Sequence, residues 1–268
     1  MTFTNRWAAV LAIGCFCASS AAAGSPERPV FSKPKDFPIK SVKLLKVSSD
    51  SGSILVRGGR QGNARVTVVG SLENCTITTE VRGTDLVVEA RHLFMKVCSA
   101  GFAVEVDPSL PVRAYAGSGD IEISSRKAPV EADAGSGDIL VRDAIGDLIL
   151  TCGSGSIKAD AATMNVKAQT GSGSIELRHL LGAATVMSGS GDILLEWARP
   201  PKSGSAEAKS GSGNIDLVFP PGTKILSRVR TGTGSSSNQL GDTPGSGWLV
   251  AAMSGTGDVS IRHPGPGK

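Results

Sequence analysis

The residues whose type and spacing come closest to chemistry form a column of short oxygen-bearing side chains. Asp120, Asp138, Ser156, Ser174, Asp192, Asn214 and Asp258 each follow directly the second glycine of a Gly-Ser/Thr-Gly triplet. Repeated carboxylates can ladder calcium ions, and paired carboxylates can act as the acid and base of a glycosidase. Calcium takes about 6–8 oxygens, far more than one carboxylate per repeat that Ser often replaces. A glycosidase needs two carboxylates set apart by their surroundings, whereas Asp120 and Asp138 are products of the same repeat. Asp, Ser and Asn do share a short acceptor able to satisfy turn N–H groups. The column is therefore expected to be structural, and no catalytic, metal-binding or cofactor-binding residue is expected.

Other chemical candidates are weaker. His92, His179 and His263 are scattered without ligand spacing, and the chain has no phosphate-binding G-x-x-x-x-G-K-[ST] loop. Gly-Ser-Gly recurs many times, whereas a hydrolase needs one nucleophile beside one base. Trp197 and Trp248 are large enough to stack on a sugar, but both fall in longer, less regular repeats and are expected to cover one end of the fold. Lys33, Lys35, Lys40, Lys43 and Lys46 make a basic stretch that reads as a solvated face.

The N-terminal residues set the expected compartment. Arg6 precedes the apolar run WAAVLAIGCFCASSAAA, and Ala21 and Ala23 are the small residues a signal peptidase needs. Residues 1–23 thus read as a leader, with export to the periplasm or cell surface. A lipoprotein anchored through Cys15 is the alternative. Cleavage leaves Cys75, Cys98 and Cys152. In an oxidising compartment two of these should pair. Cys75 and Cys98 lie in strand-like runs that neighbouring coils could bring together, so they are the expected disulfide. Cys152 is aligned with Ala134, Thr170 and Ser188, and should be buried and free.

The elements that must position these residues follow from the repeat itself. The second glycines at 119, 137, 155, 173 and 191 are spaced by 18 residues, and those at 213, 234 and 257 continue at a wider spacing. After each corner, apolar residues alternate, as in Ile139/Val141, Ile157/Ala159 and Ile175/Leu177. A second alternating run, such as Val130/Ala132 and Leu148/Leu150, follows in each unit. No crossover helix fits in so short a unit. Stacked coils do fit, giving an all-β, single-domain parallel β-solenoid (β-helix) of about 18 residues per coil in its regular part. The glycines are expected at corners because they tolerate unusual φ. Hydrophobic residues at 40% suffice for a core, and aromatics at 4% suit a narrow one. The expected divisions are a Pro-containing arm (24–40), irregular early coils with an N-terminal cap (41–115), regular repeats (116–262) and a tail (263–268). Pro264 and Pro266 of the tail lack the N–H needed to extend a ladder.

The Pro-containing strand VEVDPSLPVRAYAGSGDIEI, followed by tandem GSGDI, GSGSI and GSGNI corners, resembles the bacterial "putative adhesin" family of unknown function. These GSGDI-repeat β-solenoids are related to the head GIN domain type. The resemblance covers residues 41 to 262 and implies an envelope protein with no assigned active site. The resulting expectation is a non-catalytic, exported β-solenoid that presents a repetitive binding or scaffolding surface. Its partner would be an envelope or surface component, either polysaccharide or protein, and not nucleic acid; no transmembrane segment is expected after cleavage. The alternatives are a polysaccharide-active β-helix enzyme and a self-assembling, bactofilin-like scaffold.

Overall fold

Short apolar/polar alternation gives each strand one face to bury, and glycine corners let the chain reverse and stack. In a computed structural model, residues 32–93 and 96–265 are described. The expected leader with Arg6, the Cys15 alternative, residues 24–31 of the arm and Pro266 lie outside the described residues.

The early strands are β1 (Lys35–Pro38), β2 (Leu44–Ser49), β3 (Ile54–Gly58), β4 (Asn63–Gly70), β5 (Cys75–Arg82), β6 (Asp85–His92) and β7 (Ala100–Val106). The regular repeats supply β8 (Val112–Ala116), β9 (Ile121–Arg126), β10 (Val130–Ala134), β11 (Ile139–Ala144), β12 (Leu148–Ser154), β13 (Ile157–Ala161), β14 (Asn165–Ser172), β15 (Ile175–Leu180), β16 (Ala183–Ser190) and β17 (Ile193–Trp197). The wider repeats supply β18 (Gly204–Ser212), β19 (Ile215–Val218), β20 (Leu226–Thr233), β21 (Ser236–Asn238), β22 (Trp248–Thr256) and β23 (Val259–Arg262). They form a 12-stranded first sheet and an 11-stranded second sheet. Each coil gives one strand to each sheet, and the core lies between the two.

Like residues stack on like along this core. Ile121, Ile139, Ile157, Ile175, Ile193 and Ile215 are successive partners in the first sheet, each at most 1% exposed. Opposite them, Val130, Leu148 and Val166 stack in the second sheet. The single-domain parallel solenoid expected from the repeat is what the chain forms, apart from three antiparallel pairings at the N-terminal end: β1 on β4, β4 on β7, and β5 on β6.

The order of coils departs from chain order at both ends. The first coil, β2/β3, is inserted between β6/β7 and β8/β9. The early Ser51-Gly52-Ser53-Ile54 therefore sits directly beneath the first GSGDI corner, with Ile54 opposite Ile121. At the other end β22/β23 is inserted between β18/β19 and β20/β21, so the last strands in sequence are not the last in the stack. This corrects the expectation that the proline tail ends the ladder. The terminal coil carries Ser227, Val229 and Thr231 at its inward positions, paired with Val250, Ala252 and Ser254, a polar layer suited to a half-wet end. The edges are blunted against pairing with another molecule: β1 is short and ends in Pro38, β5 runs antiparallel, β21 has three residues, and β20 carries Arg228 and Arg230.

Candidate functional site

The corner column forms a hydrogen-bonded ladder in two runs, Asp120 to Ser156 and Asp192 to Ser235. Asp120 Oδ1 accepts from the Asp138 N–H at 2.9 Å, and Asp138 Oδ1 from the Ser156 N–H at 2.8 Å. Asp192 accepts from Asn214 N–H at 2.7 Å, Asn214 from Asp258 N–H at 2.9 Å, and Asp258 from Ser235 N–H at 2.7 Å. The acceptor thus serves the next coil rather than its own turn, which the sequence reading did not foresee. On Asp258 the Ser235 N–H and hydroxyl hold the carboxyl below its ordinary range. Among the described residues no group of His, Cys, Asp and Glu side chains converges as a metal site.

The glycines serve the same stacking. A Cβ on Gly137 would lie 2.2 Å from the Gly119 carbonyl oxygen, on Gly155 2.4 Å from that of Gly137, and on Gly191 2.1 Å from that of Gly173. Only from Gly173 onward do the second glycines also take positive φ. Close approach between coils, more than an unusual φ, is what excludes a side chain, and the sequence expectation is corrected on that point.

One residue class escaped the sequence reading. In the second sheet Cys152, Thr170, Ser188, Ser210 and Ser254 form one buried column. Each donates to a corner glycine carbonyl of an adjoining coil: Thr170 to Gly155 at 2.9 Å, Ser188 to Gly173 at 3.0 Å, and Ser254 to Gly213 at 2.8 Å. The signal lies in the Thr-Gly and Ser-Gly pairs that open the corners, whose place in the repeat shows small residues without showing what their hydroxyls bond. Cys152 donates to Gly137 at 3.1 Å, and burial pushes its thiol above the ordinary range.

Cys75 and Cys98 are joined, with Cα atoms 5.1 Å apart. The bond ties edge strand β5 to the segment entering β7, closing the N-terminal end of the core. Replacing both by Ala should lower stability by about 3 kcal/mol, the chain-entropy value for such a loop. Denaturant unfolding of oxidised, reduced and variant protein checks this, and an unchanged midpoint on reduction would contradict it.

Two further clusters anchor the crossovers that reorder the coils. Arg126 is fully buried and donates to the carbonyls of Val106 at 3.2 Å, Asp107 at 2.8 Å and Leu110, fixing the turn that carries the chain past β2/β3. Burial lowers its guanidinium to about 10, against a smaller opposing effect of Asp107. Near the other crossover, Trp197 stacks on Phe219 at 4.3 Å and meets Trp248 edge-on at 6.1 Å. Trp197 and Trp248 are 2% and 0% exposed. They are core residues, neither an outermost cover nor a sugar platform. The histidines stay apart: His92 bonds Asp50, His179 bonds Asp160, and His263 donates to Phe219 O.

The two outer faces differ in chemistry. Ion pairs dress both: Arg142 to Glu122, Arg178 to both Glu176 and Glu196, and Arg262 to Asp216 on the first sheet, and Lys46 to Asp85, Arg113 to Glu131 and Lys209 to Glu207 on the second. The second sheet also exposes Tyr115, Ile149, Leu226, Leu249 and Met253, each 39–52% accessible. Among the described residues, no strand of the first sheet exposes a large apolar side chain to that extent.

A profile of the Toastrack DUF4097 family matches residues 40–244, most of the chain and nearly all of the stack. The chain belongs to the Toastrack DUF4097 family. Among solved structures, this Toastrack chain is similar to a putative adhesin from Bacteroides fragilis: TM-score 0.55, 13% identity, 89% of this chain and 98% of that one covered. A putative lipid binding protein from Parabacteroides distasonis aligns at TM-score 0.44, with 14% identity over 89% of this chain and 98% of that one. A putative adhesin from Parabacteroides merdae aligns at 0.39, with 14% identity over 88% and 96%. No curated protein matches the Toastrack chain. The first likeness supports the fold alone.

Proposed function

We propose that this protein is a non-catalytic, exported component of the cell envelope that uses the outer face of its second sheet to hold an envelope or surface component. The carrying observation is the contrast between the faces. Both faces carry ion pairs, but among the described strands only the second leaves large apolar side chains in water, with Leu226, Leu249 and Met253 gathered on the neighbouring strands β20 and β22, the kind of apolar patch that marks interaction sites. The Cys75–Cys98 bond suits an oxidising compartment, in keeping with a leader over residues 1–23. In the same reading, residues 24–40 are an arm, 41–115 the capped early coils, 116–262 the repeats and 263–268 a tail. Cleavage of a polysaccharide is disfavoured, since Asp120 and Asp138 are engaged by backbone N–H groups.

Co-sedimentation of the purified chain with envelope fragments tests the reading. Ile149→Glu, on the second outer face, should weaken binding about ten-fold, the equivalent of one lost apolar contact. Leu140→Glu, on the first outer face, should leave it unchanged. Equal effects of the two substitutions would refute the assignment of the face.

A further inference from the structure

The insertion of β22 between β18 and β20 leaves a furrow on the outer face of the second sheet. Its floor is Leu249, Ala251 and Met253. In register on one side stand Glu207 and Lys209, and on the other Arg228 and Arg230. Two hollows of about 480 Å³ and 510 Å³ lie along these same three strands, one toward each end, lined largely by carbon. From Leu249 to Gly255 the floor is about 20 Å long at the usual strand rise.

The charges on the two walls are not equivalent. Lys209 is paired with Glu207, whereas among the described residues neither Arg228 nor Arg230 makes an ion pair. Two unpartnered guanidiniums on one wall select an anion, which they can hold through forked N–H donors. The floor is aliphatic and carries no ring on which a sugar could stack. A straight, narrow, apolar floor beside a cationic wall is complementary to one extended alkyl chain with a single anionic head.

We propose that this furrow binds a long-chain acyl anion as a monomer, its alkyl chain along Leu249, Ala251 and Met253 and its carboxylate on Arg228 and Arg230. The proposal deepens the reading above, because it rests on the outer face of the second sheet being the binding face. The apolar strip is one strand wide between two rows of charged side chains, which fits one chain taken from solution better than contact with a flat bilayer.

Titration of the purified full chain with palmitate below its micelle concentration tests it, with hexadecyltrimethylammonium and phosphatidylglycerol vesicles as comparisons. Saturable one-to-one binding of palmitate is expected, with no binding of the cationic amphiphile. The double variant Arg228→Glu/Arg230→Glu should weaken it at least about ten-fold, the scale of a lost charge-assisted contact. Ala251→Trp, which fills the floor, should abolish it with an unchanged circular dichroism spectrum and melting temperature, and serves if the double variant does not fold. Absence of palmitate binding, indifference to both variants, or binding to vesicles alone would overturn the proposal. If palmitate fails while Ile149→Glu still weakens envelope binding, the furrow falls and the binding face stands. If palmitate binds as described while Ile149→Glu has no effect, the furrow stands and the envelope reading falls.

Discussion

Ile157→Asp is expected to abolish the folded state, while Lys158→Asp, one residue away, leaves it nearly intact. Ile157 is fully buried between Ile139 and Ile175, in the middle of the stack. An aspartate there loses about 2–3 kcal/mol of apolar burial and adds several kcal/mol for a buried charge without a partner. Together these rival a typical total stability of about 5–15 kcal/mol. Lys158 points outward, 4.0 Å from Glu176, so its replacement removes a weak surface pair worth about 0.5 kcal/mol. Far-UV circular dichroism and thermal melting decide it. Comparable melting of the two variants would mean that the inward and outward columns have been assigned the wrong way round.

Gly191→Ala should cost several kcal/mol, against about 1 kcal/mol for Gly83→Ala, the usual scale of strain for a left-handed residue in a turn. Both glycines have positive φ, 152° and 61°. A Cβ on Gly83 meets nothing within 4 Å, whereas on Gly191 it would lie 2.1 Å from Gly173 O and 2.5 Å from Gly173 C. Those atoms are backbone and cannot swing aside. The coils would have to separate, straining the Gly173 N–H bond to Ser190 O and the Ile175 N–H bond to Asp192 O, both 2.9 Å. Denaturant titration of the two variants separates the explanations: equal losses would show that the corners need glycine for its backbone freedom and not for the contact between coils.

Much of the architecture was legible because a repeat states its own register. Ile139, Ile157 and Ile175 are equivalent in sequence and become neighbours in space, so aligning the repeat already aligned the ladder. The cysteines were legible for a related reason: Cys152 shared a column with small residues, while Cys75 and Cys98 did not. The corner carboxylates were readable as acceptors, but not their partners. Whether Asp138 bonds within its own turn or to Ser156 depends on the distance between coils, which no single repeat contains. Arg126 gave no signal, since its place in the register is taken by Ala144 in the next coil, and only the crossover it supports explains a buried guanidinium.

The sequence by itself determined the all-β coil, its period, the inward columns and the residues of each corner, because these are local properties that recur every 18 residues. Tertiary structure alone decided the order of the coils at the two ends, the burial of Trp197 and Trp248, and the asymmetry of the outer faces. The physical reason is that adjacent coils interact through backbone ladders that accept almost any pair of strands in register. Chain order therefore does not dictate stacking order at the ends, where a coil can gain neighbours on both sides by moving inward. Ile54 against Ile121, and β22 between β18 and β20, are such gains, and the furrow beside Arg228 and Arg230 exists only because the second of them was made.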